Sequence, residues 1–225
     1  MVKAAGALRN NYSHCTVSYE DDVIHLPNML LIGAANRDAG KTTFACRVIS
    51  TLSTVTKVYG VKVTAIRESN GKCPRGGEGC GVCSSLTGHY CITEETHTDS
   101  AKDTARLLAA GCNRVFWLQV LHEHMAEGLR ALLKMLPAGQ PIVCESNSLS
   151  RVVQPGLFLM LKRADGLPTK ETAREALSRV NEVVSFDGRV FHPDCRRLFY
   201  AGGSWSIAAD VIEDNYSEDN HTGQL

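Results

Sequence analysis

The stretch IGAANRDAGKTTF, Ile32 to Phe44, decides how the rest of this chain is read. It continues a short apolar run, Met29 to Gly33, and leads into Phe44, Val48, Ile49 and Leu52, which recur at helical spacing. A strand, a glycine-containing loop and a helix, in that order, form the context a phosphate-binding loop needs. In such a loop the backbone N–H groups around Asp38, Ala39, Gly40 and Lys41 turn inward around an anion. Lys41 then reaches the β and γ phosphates, and the Thr42 hydroxyl binds Mg2+. Asn36, Arg37 and Thr43 complete the expected nucleotide-binding set, with Arg37 read as a loop-bracing cation in preference to a γ-phosphate sensor. The loop is a variant, because the usual first glycine falls where this chain has Ala35, and the glycine stands at Gly33 instead.

Outward from the loop, strands and helices alternate. Lys57 to Ile66 has five β-branched residues in VYGVKVTAI and reads as a strand. Asp99 to Ala110 reads as a helix, Val115 to Val120 as a buried strand, and His122 to Leu136 as a helix stopped by Pro137. Pro141 to Glu145 and Gly156 to Leu161 read as strands and Thr169 to Val180 as a helix. This alternation predicts an α/β fold with a mostly parallel sheet covered by helices on both faces. Residues 183–209 have shorter alternating patches, expected as an antiparallel hairpin at the sheet edge. Residues 1–27 are read as an N-terminal arm, 28–212 as one nucleotide-binding domain with a Cys-rich insertion at 67–98, and 213–225 as a disordered acidic tail.

The 225 residues suit one large core. With 24 basic and 24 acidic side chains there is no charge excess to attract nucleic acid or anionic lipid. The longest apolar run, Val23 to Ala35, is broken by His25, Pro27 and Asn28 and is too short for a membrane span. No signal-peptide pattern is visible at the start, and a cytoplasmic protein is expected. Nine cysteines are many for such a protein, and an odd number cannot all pair internally.

The strand, loop and helix at Met29 to Leu52, then KDTARLLAAGCNRVF (Lys102 to Phe116), then IVCE ending at Glu145, together resemble the molybdopterin-guanine dinucleotide biosynthesis protein B group (MobB-like) of P-loop NTPases. The likeness covers roughly residues 29–162 and lies in the order of the pieces. It implies that Asp103, Thr104 and Arg106 begin a helix near the nucleotide. It also implies that Glu145 serves Mg2+ through water, or positions an attacking water, so that Lys41 and Glu145 are the catalytic expectations. Where that family follows its glutamate with Gly-Phe-Lys, this chain has Ser146, Asn147 and Ser148, so the family's pterin or partner contacts do not transfer. LKRADG, Leu161 to Gly166, has a faint likeness to the guanine signature Asn-Lys-x-Asp in which only Asp165 fits well; a turn with surface charge is the alternative.

NGKCPRGGEGCGVCSSLTGHYC, Asn70 to Cys91, carries Cys73, Cys80, Cys83 and Cys91 in a glycine-rich stretch. Glycines let the backbone turn tightly enough to aim several thiolates at one centre, and Cys80-x-x-Cys83 is a chelating spacing. The expectation is Zn2+ or an iron–sulfur cluster, with His89 or His97 able to replace one thiolate; a redox dithiol or free thiols are the alternatives. Cys46, Cys112 and Cys144 read as buried hydrophobes. His122 and His124 are two apart, point to different faces of a helix, and are not expected to share a metal.

These readings lead to Mg2+-dependent binding and hydrolysis of ATP or GTP in the service of cofactor or metal-centre assembly, with a metalloenzyme or cofactor-assembly partner. The alternatives are a small-molecule kinase or nucleotidyl-transfer accessory, and a non-enzymatic metal-binding scaffold. Proteins of this type often work as homodimers, although no feature of this sequence encodes an oligomeric state.

Overall fold

The computed structural model describes residues 23–67, 86 and 88–208. At its centre is strand β1 (Ile24–Ala34), whose side chains alternate between two cores: Met29 and Leu31 enter one, and Leu30, Ile32 and Ala34 the other. A strand apolar on both faces is stable only inside a sheet covered on both sides. β1 accordingly lies between β5 (Ile142–Glu145) and β6 (Val153–Arg163), parallel to both.

The remaining sheet strands are β2 (Tyr59–Ile66), β3 (Tyr90–Glu95), β4 (Arg114–Leu121), β7 (Glu182–Phe186) and β8 (Phe191–His192). Their spatial order is β3-β4-β2-β5-β1-β6-β7-β8, parallel throughout except for the antiparallel outer pairs β3 with β4 and β7 with β8. Helix α1 (Lys41–Leu52) carries the chain from β1 towards β2, and α3 (Met125–Leu133) brings it back from β4 to β5. Right-handed crossovers in opposite directions put these helices on opposite faces. Phe44, Val48 and Ile49 of α1 pack in one core together with Leu107 of α2 (Asp103–Ala109). Met125, Leu129 and Leu132 of α3 pack in the other with Ala173 of α4 (Glu171–Arg174). The expected α/β architecture, a mostly parallel sheet with helices on both faces, is the observed one.

Several boundaries differ from the sequence reading. β1 begins at Ile24, so the last residues of the segment read as an arm lie in the sheet. The run read as a helix from Thr169 to Val180 forms only the short α4 and a 3-10 turn at Leu177–Arg179. His122–His124 is a 3-10 turn preceding α3. Strand β3 lies within the stretch read as a Cys-rich insertion. At the other edge, β7 pairs parallel with β6 and the two-residue β8 turns back antiparallel on β7, a short form of the expected edge hairpin. A second antiparallel hairpin forms a separate pair, β9 (Leu198–Ala201) with β10 (Ser204–Ile207), laid on the α1 face. The segment read as a disordered tail lies outside the described residues.

This second hairpin completes the central strand. The register of β1 against β6 shifts between Leu26 and Leu30, where Pro27 has no N–H to give to a ladder. The buried Trp205 of β10 donates its indole N–H to the Asn28 carbonyl at 3.0 Å, satisfying an acceptor the bulge leaves over. Gly156 of β6 faces the bulge so closely that a Cβ there would lie 2.0 Å from the Pro27 carbonyl oxygen. Backbone must move to admit any side chain, so Gly156→Ala is expected to destabilise the fold by about 3 kcal/mol or more, at the upper end of overpacking costs. An unfolding midpoint in urea equal to that of the unaltered protein would contradict this.

Candidate phosphate-loop site

The carboxyl end of β1 is fixed by side chains from outside the loop. Asn147 accepts from the Ala34 N–H at 2.8 Å and donates to the Ala34 carbonyl at 2.9 Å, closing both polar groups of one residue. Ala35 is tied by its N–H to the Leu161 carbonyl (2.7 Å) and by its carbonyl to the Lys170 N–H (2.8 Å). Asn36 is buried; its amide donates to the Leu167 and Pro168 carbonyls at 2.7 and 3.0 Å, and its oxygen accepts from the Arg163 N–H at 3.0 Å. Asn36 thus braces the loop with every polar atom of its side chain. Arg37 and Asp38 are exposed on the loop, and Ala39 is buried beneath it.

Asp38 (φ 54°) and Gly40 (φ 76°) take left-handed conformations that turn the chain into α1. At Gly40 two constraints coincide, since a Cβ there would also press within 3.0 Å of the Phe191 ring. Helix α1 has no side-chain cap and no acidic residue in its first turn. The first-turn N–H groups, Lys41 to Thr43 among them, have no acceptors within the helix and carry the positive end of its dipole.

The first turn of α1 faces two carboxylates. The Thr42 hydroxyl lies 3.1 Å from Asp103 Oδ1 and 3.2 Å from Glu145 Oε2. Asp103 Oδ2 is ion-paired with Lys62, a lysine on β2 in register with Glu145 on β5. Glu145 is 2% exposed, and its second oxygen, Oε1, has no hydrogen-bond partner among the described residues. Burial pushes its carboxyl above the ordinary range; the Lys41 charge and the Thr42 hydroxyl oppose this, while the Asp103 charge adds to it. Burial also resists ionisation of Asp103, but there the Lys62 ammonium, the Thr42 hydroxyl and Lys41 prevail and hold the carboxyl low. Two acids within reach of one hydroxyl are therefore pushed apart in pKa. A single Thr42 proton cannot serve both at once, so the row leaves one carboxyl short of a donor.

Around this centre, Arg106 donates to the Thr43 hydroxyl at 3.1 Å and the Thr104 hydroxyl to Glu95 at 2.7 Å. Arg106 is thereby fixed next to the loop, whereas Thr104 is tied to β3. A cavity of about 580 Å³ opens on the far side of Asp103, lined by Lys62, Lys102, Asp103, Trp117 and the strand β3 residues Thr93 and Glu95.

The other expectations fall elsewhere. Asp165 is exposed and held by Arg163 Nε at 2.6 Å, which keeps its carboxyl low. Cys91 lies on β3 with its sulfur 3.9 Å from the Thr93 hydroxyl, and Cys73, Cys80 and Cys83 lie outside the described residues. Cys112 and Cys144 are buried, as read; burial pushes the Cys112 thiol up to about 12. Cys46 is half-buried. Two residues important to the geometry went unread. A lone charge in the otherwise apolar strand YGVKVTAI was a visible sign of Lys62, whereas nothing local marks Asn147.

No protein-family model and no curated protein matches the chain. Among solved structures, the kinase domain of Escherichia coli tyrosine kinase ETK aligns with a TM-score of 0.40 at 16% identity, covering 71% of this chain and 67% of that one. So distant a likeness transfers no activity. No helix among the described residues is long and apolar enough to cross a membrane.

A carboxyl whose pKa is raised on folding favours the folded state while protonated. That contribution is complete below the pKa of the unfolded chain and is lost as pH rises through the folded value. In metal-free protein, stability should therefore decline from the ordinary carboxylate range upward, and Glu145→Gln should remove that decline. Urea midpoints followed from mildly acidic to neutral pH check this; parallel profiles for the two proteins would refute it.

Proposed function

We propose that this chain binds ATP or GTP together with Mg2+ at the loop from Asp38 to Thr43 and hydrolyses it. The observation that carries the reading is the buried, unpartnered Glu145 oxygen, placed beside the Thr42 hydroxyl and Asp103 at the uncapped start of α1. A hydroxyl and two carboxylates are the hard oxygen donors Mg2+ takes, with the remaining positions left to water and phosphate. Thr42 would hold the ion directly, and Glu145 and Asp103 would hold its water shell. The ion would supply charge neutralisation at the phosphates. Lys41 and the first-turn N–H groups would bind the phosphate oxygens, with the left-handed Gly40 giving the backbone close approach. Glu145, once ionised, is placed to orient a water against the γ-phosphate.

The finer reading, service of cofactor or metal-centre assembly in the manner of the molybdopterin-guanine dinucleotide group, is supported by the order of motifs and by the cysteines between β2 and β3. A second reading is supported by the cavity beyond Asp103. Its size lies within the roughly 300–1,000 Å³ of small-molecule sites, and one of its walls is the carboxylate that touches Thr42. Phosphoryl transfer to an acceptor seated there, instead of to water, is a kinase activity. Label from the γ-phosphate appearing on a metabolite rather than as inorganic phosphate would select it.

Lys41→Ala is expected to abolish nucleotide binding while leaving the fold intact, because the lysine is half-exposed and neutralises phosphate, not a core charge. Equilibrium binding of ATP and GTP measures this, and undiminished affinity for both would sink the proposal. Glu145→Gln should keep nucleotide binding within a fewfold and slow turnover by about a hundredfold or more, the scale of losing a positioned general base.

A further inference from the structure

A second cluster of ligand-type side chains lies beyond β4, on other residues than the phosphate-loop site. His89 immediately precedes β3, His124 closes the 3-10 turn after β4, and Glu127 stands in the first turn of α3. Nδ1 of His124 lies 2.9 Å and Nδ1 of His89 3.2 Å from the same oxygen, Glu127 Oε2, and the two imidazoles stack with centroids 3.5 Å apart. All three ligand atoms fall within 4.8 Å of one another. Two imidazole nitrogens and a carboxylate suit zinc and its neighbours better than magnesium or calcium. The two histidine–glutamate separations, 2.9 and 3.2 Å, are close to the edge of about 3.3 Å expected between ligands of a tetrahedral ion with bonds of about 2.0 Å.

The backbone holds the three groups in place. The His89 carbonyl accepts from the Leu121 N–H at 2.9 Å, which ties the entry of β3 to the exit of β4, one turn before His124. Gly128, next to Glu127, lets α3 approach so closely that a Cβ there would lie 3.0 Å from Val120 and 3.3 Å from Tyr90 Cβ. That close approach brings Glu127 over to His89. His122, two residues before His124, turns away from the cluster to Arg151, at 2.6 Å. The partner of His124 is thirty-five residues away, out of reach of any local motif.

We propose that His89, His124 and Glu127 form a binding site for a divalent transition ion, zinc in the first instance, with a fourth position open to solvent. His89 and Glu127 are more than half exposed, so an ion could enter without local unfolding. The site is independent of nucleotide binding and of the function proposed above.

The test is a competition titration of the full-length, chelator-stripped protein with zinc against a chromogenic chelator, under reducing conditions, alongside His89→Ala, His124→Ala and Glu127→Gln. The expected result is one zinc ion fewer, or an affinity at least about tenfold weaker, in each of the three variants, since even outer partners of a metal site act on that scale. His25→Ala, an exposed histidine of β1 outside the cluster, should match the unaltered protein. Unchanged stoichiometry and affinity in all three variants would overturn the proposal and assign any zinc to thiolates. Absence of zinc binding in the unaltered chain would overturn it as well. Far-ultraviolet circular dichroism and nucleotide affinity should stay unchanged in each variant, which separates loss of ligand from loss of fold.

Discussion

Both backbone polar groups of Ala34 end on one side chain, Asn147, and the geometry of the phosphate loop depends on that closure. At this point the central strand leaves the sheet while still buried, so its N–H and carbonyl cannot turn to water and no further strand residue can take them. An unsatisfied buried donor or acceptor costs on the order of 1–3 kcal/mol. Asn147 removes that cost for Ala34, Leu161 and Lys170 remove it for Ala35, and Asn36 binds the loop to the β6 exit from the other side. The loop that follows is therefore anchored at its start and tightly turned at its end by the left-handed Asp38 and Gly40. A backbone held this way is ready to surround an anion without first being ordered, and that is the source of affinity in such loops.

The acidic groups behind Thr42 are unevenly compensated. A carboxylate removed from water without a cation or enough donors is unfavourable, and Glu145 responds by holding its proton more tightly. Asp103 escapes the same penalty through Lys62, so the two carboxyls next to one hydroxyl are shifted in opposite directions. The stability held back in this way is recoverable by any ligand that brings positive charge to Glu145. Binding and stability are therefore linked through the same residue.

The parts legible in the sequence were those set by local chemistry. The parallel sheet followed from apolar runs alternating with amphipathic ones, and the loop from GKT after a strand. Glu145 was singled out by its place in the MobB-like order of motifs, and it lies at the end of the buried strand β5 beside Thr42. Illegible were the contacts made across the fold. Asn147 was read only as a departure from a family pattern, since nothing near it in sequence shows that Ala34 needs it. Asn36 was read as a ligand for nucleotide because it stands in the loop, whereas burial turned it inward. β3 was hidden because glycine and cysteine composition dominated its neighbourhood, and the helix read over Thr169 to Val180 shrank because its pattern rested on alanine and charge with few large apolar anchors.

The sheet's direction also determines which features can act together. β1, β5, β2 and β4 all end at the same rim, and antiparallel β3 begins there, with Tyr90 opposite Val120. Ile66, where β2 stops, is in register with Leu121, where β4 stops. β2 thus ends and β3 begins at one rim, on either side of β4. The phosphate loop, Glu145 and the cluster of His89, His124 and Glu127 lie towards that rim, whereas the cavity at Asp103 runs along the sheet from Lys62 and Trp117 towards Glu95. In open α/β sheets ligands bind outside the carboxyl ends of the strands, because helix starts and loop backbone face that side. The arrangement sets the proposed nucleotide site and the proposed metal ligands towards one end of the sheet, with β2 and β4 as the rigid elements between them.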